Sequence, residues 1–245
     1  MEIIVENNYH EMSARTAEMI ISTIKTKPDA LLCLAAGDTP RLSYTMVAER
    51  VKQENIDVSH CKFVSLDEWV GIGAENPGSC QYFLRSTLFD LLGLSESQLH
   101  LFDSRANNLD KECREMDEFI RRNNGIELIV VGIGRNGHIG FNEPGVAAGL
   151  YSHVVDLDNT TKTVGQKYFA ETTSLTQGIT LGLQHLLEAK QAILIANGKV
   201  KAGVIRQAVE GSVDPLMPAS IMQKHSNGYV IIDKEAASEL SKTHS

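Results

Sequence analysis

Short runs of apolar residues alternate along the chain with longer stretches in which apolar residues recur every three or four positions. The short runs are apolar at nearly every position, as expected of strands that are covered on both faces of a parallel sheet. They predict five strands, at residues 31–35, 61–66, 128–133, 192–196 and 228–232. A sixth and less regular run predicts a short strand at residues 153–157.

The longer stretches have the period of amphipathic helices. Three apolar faces are clear: Tyr9, Met12, Met19, Ile20 and Ile24; Tyr44, Val47 and Val51; and Cys113, Met116, Phe119 and Ile120. Strands that alternate with helices predict a doubly wound α/β fold, in which a mostly parallel sheet lies between two helical layers in a Rossmann-like three-layer arrangement. Since no repeat or linker interrupts this pattern, we expect a single domain over residues 1–245, with a lid segment at residues 145–176.

Composition and charge narrow the class of protein. Hydrophobic residues make up 42% and charged residues 22% of the chain, values typical of globular proteins, so neither disorder nor a membrane partner is expected. The net charge of −8 and the lack of a basic stripe argue against nucleic acid as a partner. The four cysteines show no C-x-x-C pairing and the N-terminus has no signal-like apolar region, which favours free thiols and a cytoplasmic location.

Ligands of an open parallel sheet bind where the strands end at their carboxyl edges, so segments that follow strands are the first candidates for a site. The first predicted strand leads into Gly37, Asp38, Thr39 and Pro40, with Thr39 placed to cap the next helix. A glycine turn at a helix N-terminus suits a phosphate. An ordinary capped turn fits the same pattern, and Asp38 would repel a phosphate unless its carboxylate points away.

The second strand ends at Asp67 and Glu68, beside the only tryptophan. Adjacent residues of an extended chain face opposite ways, so only one of these carboxylates can enter a pocket. We expect it to be Asp67, as a base, although a solvated loop acid fits the spacing equally well.

The third strand is followed by the glycine-rich run GIGRNGHIGFNEP at residues 132–144. It brings Asn136, His138 and Glu143 within eight positions of one another. Histidine exchanges protons near neutral pH, and a carboxylate beside it can orient the ring, so this run predicts acid-base catalysis. The run contains G-x-G-x-x-G, but Pro144 would stop the long helix of a dinucleotide fold, so no cofactor is expected.

Two lysines could supply positive charge at the same edge of the sheet. Lys201 follows the strand at residues 192–196, and Lys167 lies in the lid segment. Both positions are equally compatible with solvated lysines. The eight histidines are scattered and no H-E-x-x-H occurs, so we expect no metal site.

Four motifs, GDTP at 37–40, LDEW at 66–69, NGHIGFNEP at 136–144 and GITLG at 178–182, together resemble the glucosamine-6-phosphate deaminase/isomerase family. The likeness covers essentially the whole chain in the same order. Within the family, the segments 27–30 and 64–70 look closest to the galactosamine-6-phosphate branch.

The resemblance implies a cofactor-free isomerase/deaminase that converts an amino sugar 6-phosphate and water to a ketohexose 6-phosphate and ammonia. By this likeness His138, assisted by Glu143 and Asn136, would open the sugar ring, and Asp67 would move a proton from C2 to C1. The phosphate would bind the Gly37, Asp38 and Thr39 turn together with Lys201 and Lys167. A homo-oligomer is compatible with the resemblance.

Three positions depart from the family pattern. Asn136 stands where some members carry aspartate, which implies that a neutral amide orients the histidine. Asp38 replaces a small residue in the phosphate turn, and Lys167 stands where an arginine is familiar. Two alternative functions therefore stay open: a hydrolase of the related 6-phosphogluconolactonase type, in which His138 activates water, and a sugar-phosphate-binding module without turnover.

Overall fold

A computed structural model describes residues 1–241 of the chain. Its strands are β1 (Glu2–Glu6), β2 (Leu31–Leu34), β3 (Lys62–Ser65), β4 (Asp67–Trp69), β5 (Leu99–His100), β6 (Leu128–Val131), β7 (His153–Asp156), β8 (Gln177–Thr180), β9 (Gln191–Ala196) and β10 (Gly228–Asp233). Its helices are α1 (Tyr9–Thr26), α2 (Arg41–Gln53), α3 (Cys80–Leu84), α4 (Asp90–Leu92), α5 (Leu109–Arg122), α6 (Asn159–Gly165), α7 (Leu183–Glu188) and α8 (Ala202–Glu210). A π-helical turn, Arg85–Phe89, joins α3 to α4, and 3₁₀ turns lie at Gln166–Tyr168, Lys199–Lys201 and Pro218–Lys224.

The central sheet has seven strands in the order β1-β10-β9-β6-β2-β3-β5, and every neighbouring pair is parallel. The six predicted strands are confirmed to within two residues at each end. The doubly wound α/β prediction is confirmed as well. The strands β1, β4, β5 and β8 are additions that the sequence pattern did not predict.

Side chains of β2 show how the two helical layers share the sheet. Leu31 and Cys33 belong to the apolar core on one face, whereas Leu32 and Leu34 belong to the core on the other. This alternation follows from the two-residue period of a strand. Burying both sets removes apolar surface from water on both sides, which explains why the strand is apolar throughout.

The predicted helical faces pack onto these two cores. Met12, Ile20 and Ile24 of α1 and the apolar face of α2 cover one side of the sheet, and Cys113 and Met116 of α5 cover the other. Local capping fixes where the helices begin: the Asn8 side chain accepts a hydrogen bond from the backbone of α1, and Asn108 does the same for α5.

A second, antiparallel sheet of three strands, in the order β4-β8-β7, stands beyond the carboxyl edge of β3. Trp69 of β4 packs against Phe141 with ring centroids 4.6 Å apart, and Cys80, Leu157 and Leu175 complete this third apolar cluster. The predicted strand of the lid segment is β7, so it is anchored in this sheet. Another part of the segment, from α6 to the Gln166–Tyr168 turn, follows β7 along the chain.

Candidate active site

A cleft of about 300 Å³ opens at the carboxyl ends of the strands. This volume is at the lower end of the range for small-molecule sites and suits a compact polar ligand. Eight of the nine predicted site residues line it: Gly37, Asp38, Thr39, Asp67, Asn136, His138, Lys167 and Lys201. The ninth, Glu143, lies behind His138 and does not form part of the wall.

The turn after β2 forms one end of the cleft. Gly37 has a φ of +129°, a conformation that side chains disfavour, so glycine is required there. The prediction that Thr39 caps the next helix is wrong: α2 begins at Arg41, its cap position is Pro40, and no side-chain cap is made. The Thr39 hydroxyl instead donates to Asn197 Oδ1 at 2.9 Å, which ties this turn to the loop after β9. A tertiary partner competes with the local cap for this hydroxyl.

Four cationic residues line the cleft: Arg41, Arg135, Lys167 and Lys201. The Lys201 ammonium donates to the carbonyl oxygen of Ile133, and burial together with the charges of Lys167 and Arg135 lowers its pKa to about 8. Lys167 reaches in from the lid segment, and its Nζ atom lies 2.7 Å from Asp38 Oδ2. The Asp38 carboxylate therefore points at a lysine, which offsets the repulsion that it would exert on a bound anion.

His138 and Glu143 form the hydrogen-bonded pair that the glycine-rich run predicts. The distance from His138 Nδ1 to Glu143 Oε2 is 3.1 Å. A Cβ atom at Gly134 would overlap the His138 ring, so this glycine allows the ring to lie against the backbone. Burial opposes ionisation of Glu143, but its contacts with His138, Thr161 and Asn136 outweigh that effect and lower its pKa.

The prediction that the Asn136 amide orients the histidine ring is wrong. Asn136 Nδ2 donates to Glu143 Oε2 at 2.8 Å, and its Oδ1 faces the backbone N–H of His138 at 3.3 Å. The ring itself therefore faces a carboxylate. An amide can hold that carboxylate in place as a donor, a contact that an aspartate in the same position would make only when protonated.

Asp67 and Glu68 are both buried but face opposite ways, as the extended backbone requires. Asp67 lines the cleft, and burial raises its pKa to about 6 against the lowering effects of Cys80 and His138. The Glu68 carboxylate accepts hydrogen bonds from the backbone N–H groups of Trp69, Cys80 and Gln81, at 2.9 to 3.0 Å. It thereby caps α3. Asp67 is the acid that can act on a ligand in the cleft, and Glu68 stabilises the wall of the cleft.

Several wall residues were not predicted. Arg135 stands inside the glycine-rich run and adds a cation, and its position in that run was the available signal. Thr161, Tyr168 and Cys80 reach the cleft from α6, the turn after it and α3. Nothing in the local sequence marks these three, because their place depends on how distant elements pack.

Other features of residues 1–241 bear on ligands and location. The side chains of this region form no group of three or more histidines, cysteines or acids that could hold a metal ion. The four cysteines are free and buried. In the same part of the chain, no helix is long and apolar enough to span a bilayer.

Known proteins are similar to this chain in sequence. A family model described as glucosamine-6-phosphate isomerases/6-phosphogluconolactonase matches residues 6–231. A glucosamine-6-phosphate deaminase of Clostridium botulinum (strain Loch Maree / Type A3) is 38% identical over 242 residues, covering 98% of this chain and 99% of the relative. One from Halothermothrix orenii is 38% identical over 241 residues, covering 98% and 100%.

Solved structures agree with these similarities. A monomeric glucosamine-6-phosphate deaminase superposes with a TM-score of 0.94 at 34% identity, covering 98% of this chain and 100% of that one. The 6-phosphogluconolactonase of Trypanosoma brucei has a TM-score of 0.80 at 18% identity, covering 98% of both chains, and thus shares the fold. The chain belongs to the family of glucosamine-6-phosphate isomerases and 6-phosphogluconolactonases.

Proposed function

We propose that this protein is an isomerase/deaminase that converts glucosamine 6-phosphate and water to fructose 6-phosphate and ammonia. The proposal rests on the residues of one cleft. Its wall contains the buried acid Asp67, a cluster of cations, and His138, which is hydrogen-bonded to Glu143 behind it. The deaminases to which the chain is 38% identical over nearly their full length support the same reaction.

The cations define where the phosphate would bind. Lys201, Arg135, Lys167 and Arg41 line the same cleft as the Gly37 turn, and each charge-assisted hydrogen bond to a phosphate contributes about 1.5–3 kcal/mol. A phosphate held there fixes one end of the sugar chain. The reactive carbons then extend towards Asp67 and His138, which line the same cleft.

The first chemical step in this proposal is the opening of the sugar ring. His138 takes the proton of the anomeric hydroxyl and delivers a proton to the ring oxygen as the bond between C1 and that oxygen breaks. Glu143 stabilises the charged imidazole while it holds the proton. The product is the open-chain aldehyde.

Asp67 then moves a proton along the chain. Its carboxylate takes the proton from C2 while the ammonium group of the substrate gives a proton to O1, which yields an enolamine. Return of the first proton from Asp67 to C1 yields a protonated imine at C2 and a hydroxyl group on C1. A water molecule adds to C2 and ammonia leaves, so the ketohexose phosphate forms without any redox step. A pKa of about 6 leaves the Asp67 carboxylate ionised at neutral pH and basic enough to accept a proton.

The test is a pair of coupled assays on the purified protein. Release of both ammonia and fructose 6-phosphate from glucosamine 6-phosphate is the expected result. Asp67→Asn should lower kcat by at least about a hundredfold, the usual contribution of a general base. The control is Glu49→Gln, which makes the same change at an exposed acid on α2 and should leave kcat unchanged.

Three results would contradict the proposal. Higher kcat/KM with galactosamine 6-phosphate would assign the substrate to its C4 epimer. Acid release from 6-phosphogluconolactone without ammonia formation would assign a lactonase. Thermal stabilisation by these sugar phosphates without turnover would assign a binding module. The homo-oligomer and the cytoplasmic location remain predictions.

A further inference from the structure

Glu143 connects the glycine-rich run to the start of α6. One of its carboxylate oxygens, Oε2, accepts a hydrogen bond from Asn136 Nδ2 at 2.8 Å and lies 3.1 Å from His138 Nδ1. The other oxygen, Oε1, accepts a hydrogen bond from the backbone N–H of Asp158 at 3.2 Å. Asp158 is the N-cap of α6, a helix that lines the cleft, so this carboxylate bonds both to the histidine and to the start of that helix.

Thr161 of α6 makes a second and more direct connection. Its side chain is buried, with 5% of the residue exposed, and its Oγ1 lies 3.1 Å from His138 Nδ1. It also lines the cleft. A buried hydroxyl needs a hydrogen-bond partner, and here the partners are the groups that orient the catalytic histidine.

The position of the imidazole proton follows from this arrangement. Glu143 is held ionised by its surroundings, so Nδ1 gains most by carrying the proton and donating it to the carboxylate. Nε2 then has the free lone pair that can accept a proton from the substrate hydroxyl. The Thr161 hydroxyl donates to Glu143, a bond that helps to lower the pKa of this carboxyl group, so a lone pair of Thr161 Oγ1 also faces Nδ1. With the opposite tautomer, the lone pairs of both oxygens would face the lone pair of Nδ1, and the substrate would meet an N–H.

We propose that Thr161 is a positioning residue whose hydroxyl fastens α6 to the His138–Glu143 pair and favours the tautomer that has its proton on Nδ1. The same hydroxyl then couples the position of α6 to the orientation of the His138 ring. This inference deepens the proposed function, and its kinetic consequence rests on it. The tautomer itself is a property of the free protein.

The experiment compares Thr161→Val, which keeps the shape of the side chain and removes the hydroxyl, with Thr161→Ser, which keeps the hydroxyl. Thr163→Val is the matched control, since Thr163 lies on the same helix, is exposed, and bonds only to the carbonyl of Asn159. Imidazole ¹⁵N signals of His138 report the tautomer without substrate. Steady-state kinetics report the consequence for turnover, and thermal unfolding shows that each variant is folded.

Thr161→Val should shift the His138 signals away from the Nδ1–H tautomer and lower kcat about tenfold to a hundredfold, with KM changed less than about threefold. Thr161→Ser should restore both the signals and kcat to within about threefold of wild type, and Thr163→Val should change neither. Unchanged imidazole signals in Thr161→Val would overturn the proposal, as would failure of serine to rescue. If the wild-type protein released no ammonia, the proposed function would fail and the ¹⁵N signals would still decide the role of Thr161.

Discussion

At the mouth of the cleft, the carboxylate of Asp38 holds the ammonium group that the resemblance assigns to the substrate phosphate. The Asp38–Lys167 pair is 2.7 Å long, and both side chains are about half exposed, at 59% and 51%. An ion pair this exposed contributes only about 0–1 kcal/mol. A phosphate can therefore displace Asp38 easily, but it must still compete with it for Lys167.

Removing this competition should tighten phosphate binding. We expect Asp38→Asn to lower the Kd for inorganic phosphate about twofold to fivefold at low salt, with a smaller effect at high salt because the charges are screened. Isothermal titration measures both. The control is Asp29→Asn, which breaks the similarly exposed Lys27–Asp29 pair and should leave the Kd unchanged. Asp29 precedes β2, at the end of the strand opposite to the cleft. Weaker phosphate binding in Asp38→Asn would contradict the prediction.

Residues of the site were predictable where their partners lie close in sequence. His138 and Glu143 belong to one short run, and the pair they form is five positions apart. Thr161 and Asn136 differ in this respect. Thr161 is 23 positions from the histidine that it contacts, and the partner of Asn136 depends on which way the loop turns its amide. Such contacts are set by packing, which no local pattern encodes.

At the scale of elements, burial decides which strands the sequence reveals. The strands β2, β3, β6, β9 and β10 are covered on both faces and are therefore almost uniformly apolar. The unpredicted strands differ from this pattern. β1 lies at an edge, β5 has two residues, and β4 and β8 belong to the small sheet, where Asp67, Glu68 and Thr180 interrupt the apolar pattern.

Close packing of backbone segments gives a prediction at this scale. A Cβ atom at Gly182, the N-cap of α7, would overlap the backbone carbonyl groups of Leu150 and Tyr151. Because backbone cannot rotate away as a side chain does, Gly182→Ala should lower the free energy of unfolding by about 1–3 kcal/mol. Gly149→Ala is the control, since no atom lies within 4 Å of a Cβ there.

Urea unfolding measures the two glycine variants. The midpoint should fall for Gly182→Ala at an unchanged slope and stay constant or rise slightly for Gly149→Ala. Equal midpoints would show that the segment beside Leu150 moves aside at no cost. Leu150 and Tyr151 lie near the start of the predicted lid segment, residues 145–176. The outcome therefore also measures how firmly this end of the segment is held by its packing against Gly182.

At the scale of the whole molecule, the buried carboxylate of Asp67 lowers the free energy of unfolding. Burial raises the pKa of Asp67 to about 6, above the value of about 3.9 in an unfolded chain. Between these two pKa values the native state binds more protons than the unfolded chain does. The free energy of unfolding therefore falls as the pH rises through this interval. Above pH 6 the full cost of a buried carboxylate remains.

Asp67→Asn should consequently raise the free energy of unfolding at pH 8 by about 2–3 kcal/mol while it abolishes turnover. The gain should shrink as the pH falls from 8 towards 4, because the wild-type carboxyl is then neutral too. Denaturant unfolding across this pH range measures the effect, and Glu49→Gln should show no comparable gain. A variant that is less stable than wild type at pH 8 would mean that the ionised carboxylate is satisfied by its neighbours.

The pairing of β1 with β10 has a consequence for how the protein is made. Among the strands of the large sheet, β1 is synthesised first, but its sheet partner, β10, is synthesised last. The middle of the sheet, β2 with β3 and β6, can assemble much earlier. The nascent chain must therefore carry β1 without its sheet partner until β10 has been made. Substitutions that make β1 more hydrophobic should consequently reduce the yield in cells more than they reduce the stability of the finished fold.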